Sequence, residues 1–266
     1  MNSTSGLTDD EVDILLTSAV TAPSLHNTQP WRFEVHGPVV DVLLDEKRSL
    51  PAEDPAGRAA RIALGAAVFN IRVAAAMLGH ESLVAPDPDP QYPEMAARVF
   101  LARREAPVPV LSGLYGELHR RHTHHGALLE RAVSPKVLQK LDEAAQSEGA
   151  QLQWLGQTEL TQLGAIGQAV DETPSATGVL STRDEHTAAW VQAGQALQRV
   201  LLVATSYDLT ASFFNQVLER TASRFQVREL IGGRHWPQMV IRIGYPAQPN
   251  GRTPRRDWRD SFDQWF

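Results

Sequence analysis

Apolar residues recur three and four apart at Val12, Leu15, Leu16 and Ala19 within "TDDEVDILLTSAV", the spacing of one helix face. Thr8 and Glu11 stand three apart ahead of that run and predict a capping box at its start. The period then shortens. "WRFEV" and "VVDVLL" flank Gly37-Pro38 and predict two strands joined by a turn. "AGRAARIALGAAVFNIRVAAAML" predicts a long Ala-rich helix stopped by Gly79, with Asn70 and Arg72 marking a polar face. A loop rich in Pro and Asp, "APDPDPQYP", leads to the strand "AARVFLA".

The plan then starts again. Ser134 and Pro135 open the helix "SPKVLQKLDEAAQSEG", with Gly149 past its end. "QLQWL" predicts a strand, "TAAWVQAGQALQRVLLVATSY" a second long helix, and "PQMVIRIGY" a terminal strand. Gly65 falls on Gly194 at an offset of about 129, which brings Ala67 onto Ala196, Ile71 onto Val200 and Ala75 onto Ala204. "PEMAARV" falls on "PQMVIRI" at an offset of about 144, so the second copy carries about 15 extra residues in a loop. The expectation is a duplicated α+β unit, residues 1–110 and 111–266, folded as an intramolecular pseudo-dimer around two long central helices.

Composition narrows the chemistry. Among 266 residues there are no cysteines, which removes disulfides, thiolate nucleophiles and cysteine metal sites. A net charge of −6 argues against a nucleic-acid surface. The N-terminus lacks an apolar signal region, and Asn70 and Arg72 interrupt the most apolar run, so no membrane span is expected and the cytoplasm is the expected location. Nucleophile-elbow, P-loop and GxGxxG patterns are absent.

Two basic segments stand out in this acidic chain. "HRRHTHHG", His119 to Gly126, reads as a metal site, a solvated basic loop or an anion site. Arg120 and Arg121 would repel a divalent cation and suit phosphate oxygens, so no metal is expected. "GRTPRRDWR" supplies Arg252, Arg255 and Arg256 after the last strand. The stretch "APSLHNTQPW", Ala22 to Trp31, joins the first helix to the first strand, and its amides could equally serve only to satisfy turn backbone.

Together, "APSLHNTQPW", "RRHTHHG", "RTPRR" and "PQMVIRIGYP" resemble the FMN-dependent nitroreductase superfamily, and in particular its fused, two-halved Acg-type members. The resemblance implies a nitroreductase-like α+β fold and an FMN cofactor. It implies that Arg120, Arg121, His122 and Thr123 face the ribityl phosphate, that Arg255 or Arg256 completes the cradle, and that His125 lies near the isoalloxazine. It further implies that Ser24, Leu25 and Asn27 line the ring, that Gln29, Pro30 and Trp31 fix their loop, and that the backbone of "ASFFN", around Phe214, meets flavin N5.

The first copy has the Pro-Ser loop but only "NSTSG" before its first helix; the second has the arginines but "QSEGAQLQW" where the loop should be. Each copy thus keeps the half that the other lacks, which leaves one complete site. The implied activity is ping-pong hydride transfer from NADH or NADPH to a nitroaromatic, quinone or other flat acceptor; the alternative is a flavin-sequestering protein with little turnover. Only "TELTQLGAIGQAVDETPSATGVLSTRDEH" separates the Trp154 strand from the Trp190 helix, so the lid of Acg-type proteins is expected to be short here. A monomer with internal pseudo-symmetry or a further homodimer both fit.

Overall fold

A computed structural model describes residues 6–86, 91–104, 109–167, 175–248, 251 and 253–262. Within it the chain divides into two compact units, residues 1–119 with 253–266, and residues 120–252. The terminal segment therefore packs with the first unit, whereas the copies expected from sequence divide at 110/111. The reason is local: Trp258 Nε1 and Arg259 Nη2 donate to Asp13 Oδ1 at 3.0 and 2.7 Å, and Phe262 forms a parallel bridge with Phe33.

The first unit contains α1 (Asp9–Ala19), β1 (Trp31–His36), β2 (Val39–Leu44), α2 (Arg58–Met77), β3 (His80–Pro86), β4 (Met95–Arg103) and the short helices α3 (Pro109–Ser112) and α4 (Glu117–Arg120), the last ending across the boundary. Thr8 and Glu11 form the expected capping box. The free oxygen of Glu11 accepts from His80 Nε2 and Arg103 Nη2, both at 3.0 Å, which ties α1 to β3 and β4. Helix α2 is long and apolar enough to span a membrane, yet it is buried on nearly every face, as the core helix of a globular unit is. Asn70 does not mark a polar face as expected. It is fully buried and its Nδ2 donates to Ser18 O (3.1 Å) and Thr21 Oγ1 (2.9 Å), securing the end of α1 where the polar loop departs.

The second unit contains α5 (Pro135–Gln146), β5 (Gln151–Trp154), α6 (Gln157–Ile166), β6 (Ala176–Thr182), α7 (Thr187–Ser206), β7 (Thr210–Phe213), α8 (Gln216–Glu219), α9 (Thr221–Leu230) and β8 (Trp236–Gly244). Ser134 caps α5, and Gly149 takes the left-handed φ of +74° that ends it. Leu155, Leu163, Val179, Val217, Leu218, Val227, Ile231 and Val240 form a buried cluster beneath the sheet.

The repeat shows in the topology. The first sheet runs β1-β2-β4-β3 and the second β5-β6-β8-β7, both antiparallel. Each has its register shift in the corresponding ladder, at Val42/Leu43 between β2 and β4 and at Leu180/Ser181 between β6 and β8. The extra length expected as loop in the second copy is helical, α8 and α9, inserted between β7 and β8. The stretch expected as a short lid is mostly scaffold: it supplies α6 and the central strand β6, while residues 168–174 lie outside the described residues, as do much of "APDPDPQYP", nearly all of "NSTSG", and Arg252.

Candidate functional site

The loop after α1 has an unusual backbone. His26, Asn27 and Gln29 all adopt left-handed φ values of +47°, +57° and +52°. Each costs on the order of 1 kcal/mol for a residue with a Cβ, with Asn the most tolerant. Local bonds support part of this shape. Ser24 Oγ accepts from the Gln29 amide at 3.0 Å, and the Asn27 and Thr28 amides donate to Ser24 O and Leu25 O at 3.1 and 3.0 Å. Trp31 is fully buried in the core and anchors the loop's exit, while Leu25 is half-buried and His26 exposed.

Further support comes from the terminal segment. Asn27 Nδ2 donates to Pro254 O at 3.0 Å, and Arg255 Nη1 donates to Asn27 Oδ1 at 3.2 Å. The buried Gln29 side chain accepts from the Arg256 amide at 2.9 Å through Oε1. Arg255 also reaches Thr253 O (3.2 Å) and Thr21 O (3.4 Å). Burial pushes its guanidinium below the ordinary arginine value.

The two terminal arginines thus differ. Arg255 spends both terminal nitrogens on the loop and its own segment, leaving only its buried Nε without a partner among the described residues. Arg256 donates through Nη2 to Asp260 O at 2.7 Å, and its buried Nη1 has no partner among the described residues. It lines a cavity of about 580 Å³ with Thr28, Lys47, Arg48, Ser49, Asp45 and Asp260. Sequence reasoning misses Lys47 and Arg48, although a basic pair directly behind a strand is a readable signal. Arg48 Nη1 also donates to Thr28 O at 3.2 Å.

In the second unit, the basic segment splits by burial. Arg121 is 3% exposed, whereas Arg120 is exposed and pairs with Asp208 at 2.7 Å. Thr123 bridges Ala211 in parallel, the His124 amide donates to Ala211 O at 2.8 Å, and Thr210 Oγ1 reaches His122 O at 3.4 Å. Strand β7 therefore holds His122 to His124 in place. The buried His124 ring lies 2.9 Å from Ala127 O, which leaves His125 as the exposed histidine after Thr123. Within "ASFFN", the Phe214 amide donates to Val240 O at 3.0 Å and its ring packs on the buried cluster. Glu34, His36 and Asp41 are the one metal-ligand-like grouping among the described residues, but Arg98 forks both Asp41 oxygens at 2.7 Å.

Comparison with known proteins agrees with this architecture. The nitroreductase family matches residues 118–245. Two Mycobacterium tuberculosis proteins, provisionally named NAD(P)H nitroreductases, are similar over nearly the whole chain. One, Acg, is 27% identical over 318 aligned positions that cover 96% of each protein; the other is 26% identical over 309, covering 93% of this chain and 90% of its own. Since 96% of 266 residues is about 255, about 63 of the 318 aligned positions have no residue here, so this chain is the shorter version. A crystal structure of a provisionally named nitroreductase from Anabaena variabilis shares the fold with a TM-score of 0.68 at 12% identity, covering 89% of this chain and 88% of that one.

Proposed function

We propose that this protein is an FMN-dependent NAD(P)H oxidoreductase acting on nitroaromatics, quinones or similar flat acceptors, a reading supported by the match of residues 118–245 to the nitroreductase family and by the shared α+β fold. The observation that carries the reading is full-length similarity to proteins named as NAD(P)H nitroreductases, in a chain that retains both the Pro-Ser loop and the arginine segment.

The residues present suit an anionic, planar cofactor. Arg121 is a buried guanidinium on a segment pinned by β7, and Arg256 offers a buried N–H without a partner among the described residues. Both are suited to fork onto phosphate oxygens. In this assignment Arg121, His122 and Thr123 hold the phosphate, with Arg120 the outermost contributor, and Arg256 is the terminal arginine that completes the cradle. Ser24, Leu25 and Asn27 hold the ring edge, with Gln29 fixing their backbone and Arg255 behind Asn27. When bound, FMN supplies hydride acceptance from NAD(P)H and delivery to the acceptor. The chain's part is to fix the ring's position, to exclude water with Leu25, and to offer positive charge where electron density accumulates, for which exposed His125 is the candidate.

Anaerobic mixing of the FMN-loaded protein with NADPH or NADH tests the proposal. Loss of the yellow absorbance within seconds, returning on addition of a quinone, is the expected result. A spectrum unchanged over hours would favour sequestration of the flavin over turnover.

A further inference from the structure

Asn27 and Gln29 present an anomaly. Polar residues in left-handed turns ordinarily hold their own backbone through bonds to neighbours two or three positions away. Here the Asn27 amide group spends both its donor and its acceptor on Pro254 and Arg255, and Gln29 spends its acceptor on the Arg256 amide, partners 227 or 228 positions along the chain. The only bond from either side chain to its own loop is a long one, Gln29 Nε2 to Asn27 O at 3.4 Å. With three left-handed residues in a span of four, the local bonds are supplemented by groups outside the loop, which take both ends of the Asn27 amide and the acceptor of Gln29.

Arg255 is central to that support. Its two terminal nitrogens reach Asn27 Oδ1 and the carbonyls of Thr253, Pro254 and Thr21, so one side chain links the end of α1, the middle of the loop and the terminal segment. No carboxylate pairs with it among the described residues, and burial depresses its proton affinity. A buried guanidinium bonded mainly to carbonyls is poorly suited to an exposed ion-pair role, but its planar fork suits the fixing of several acceptors at once.

We infer that Arg255 is a positioning residue: acting through Asn27, it holds the Ser24–Gln29 loop in its left-handed conformation, and segment 253–256 is the brace on which cofactor retention depends. The cofactor consequence rests on the flavin reading; the effect on the loop does not. The family resemblance implies a phosphate contact for Arg255 or Arg256, and the geometry divides these duties, with Arg255 supporting the ring loop and Arg256 left for the anion.

Amide hydrogen exchange on the apo-protein and FMN titration of the same variants test this. In R255A the amides of residues 25–29 are expected to exchange at least tenfold faster while α1 and β1 keep their protection, and FMN binding is expected to weaken at least tenfold. R255K, with one donor centre in place of a fork, falls between. The exposed His26 provides a rescue. Glycine enters left-handed φ freely, so H26G in the R255A background should recover part of both losses, which a general loss of packing would not allow. Should R255A fail to fold, N27A removes the central bonds from the loop side and predicts the same exchange pattern. Unchanged exchange at residues 25–29 in R255A or N27A overturns the inference, even if the wild type binds FMN. Faster loop exchange in a protein whose wild type takes up no FMN supports the brace and overturns the flavin reading alone.

Discussion

The two units build the same sheet and differ in how the first helix joins the first strand. In the second unit, α5 passes to β5 through four residues, and Gly149 alone supplies the left-handed turn. In the first unit, α1 passes to β1 through eleven residues, three of them left-handed without being glycine, and distant groups hold them there. One scaffold thus carries a minimal connection and an elaborate one. Chains keep strained backbone where its shape has a use, so the contrast points to the first unit's loop as the part shaped for a ligand.

The largest effect expected outside the proposed site lies in the second unit. Arg224 forks Glu185, with Nη2 to Oε2 at 2.7 Å, and Gln238 donates to the same carboxylate at 2.8 Å. R224A leaves a partly buried carboxylate without its partner and is expected to cost about 3 kcal/mol by urea unfolding, with FMN affinity unchanged below the transition. Glu185 also predicts a pH dependence. Burial opposes its ionisation, but the bonds from Arg224 and Gln238 outweigh that and hold its carboxyl below the ordinary carboxylate range. Its contribution to stability is therefore complete above about pH 4.3 and is lost as pH falls through the lowered folded value. E185Q should show a lower plateau and a flatter acid limb than the wild type.

Next in size, N70A removes the buried amide that secures Ser18 O and Thr21 Oγ1 at the loop's entry. A cost of about 2 kcal/mol is expected, and unlike R224A it should also weaken FMN binding. G149A probes the simple connection. Its φ of +74° disfavours any Cβ, and a Cβ would collide with Gln192 Nε2. About 1 kcal/mol of stability should be lost with FMN binding unaffected. The smallest change belongs to K140A, which breaks an exposed i,i+3 pair with Glu143 and should leave the urea-unfolding midpoint unchanged.

Much of this architecture is legible in the amino-acid sequence. Periodicity locates both long helices, and local chemistry gives the Thr8–Glu11 box, the Ser134 cap and the Gly79 and Gly149 stops, because these signals are contained within a few residues. Strands β3, β6 and β7 are not legible in the same way. Strand β6 is buried almost throughout and has no alternation to read; β7 is only four residues long; β3 begins with the polar pair His80-Glu81, and the burial of His80 depends on Glu11 about seventy residues earlier. Asn70 departs from its expected role for the same reason, since its partners lie about fifty positions away. At the site, motif resemblance singles out Asn27 and both terminal arginines, yet only the folded chain assigns Arg255 to the loop and Arg256 to the cavity lined by Lys47 and Arg48.

Titration of FMN into apo-protein, followed by quenching of flavin fluorescence, tests the central claim most directly when wild type and R121A are compared. Saturable binding by the wild type is predicted, with affinity weaker by roughly tenfold to a hundredfold in R121A through the loss of a charge-assisted phosphate contact, and with the fold retained. Equal FMN affinity in the two proteins, or no uptake by either, would contradict it.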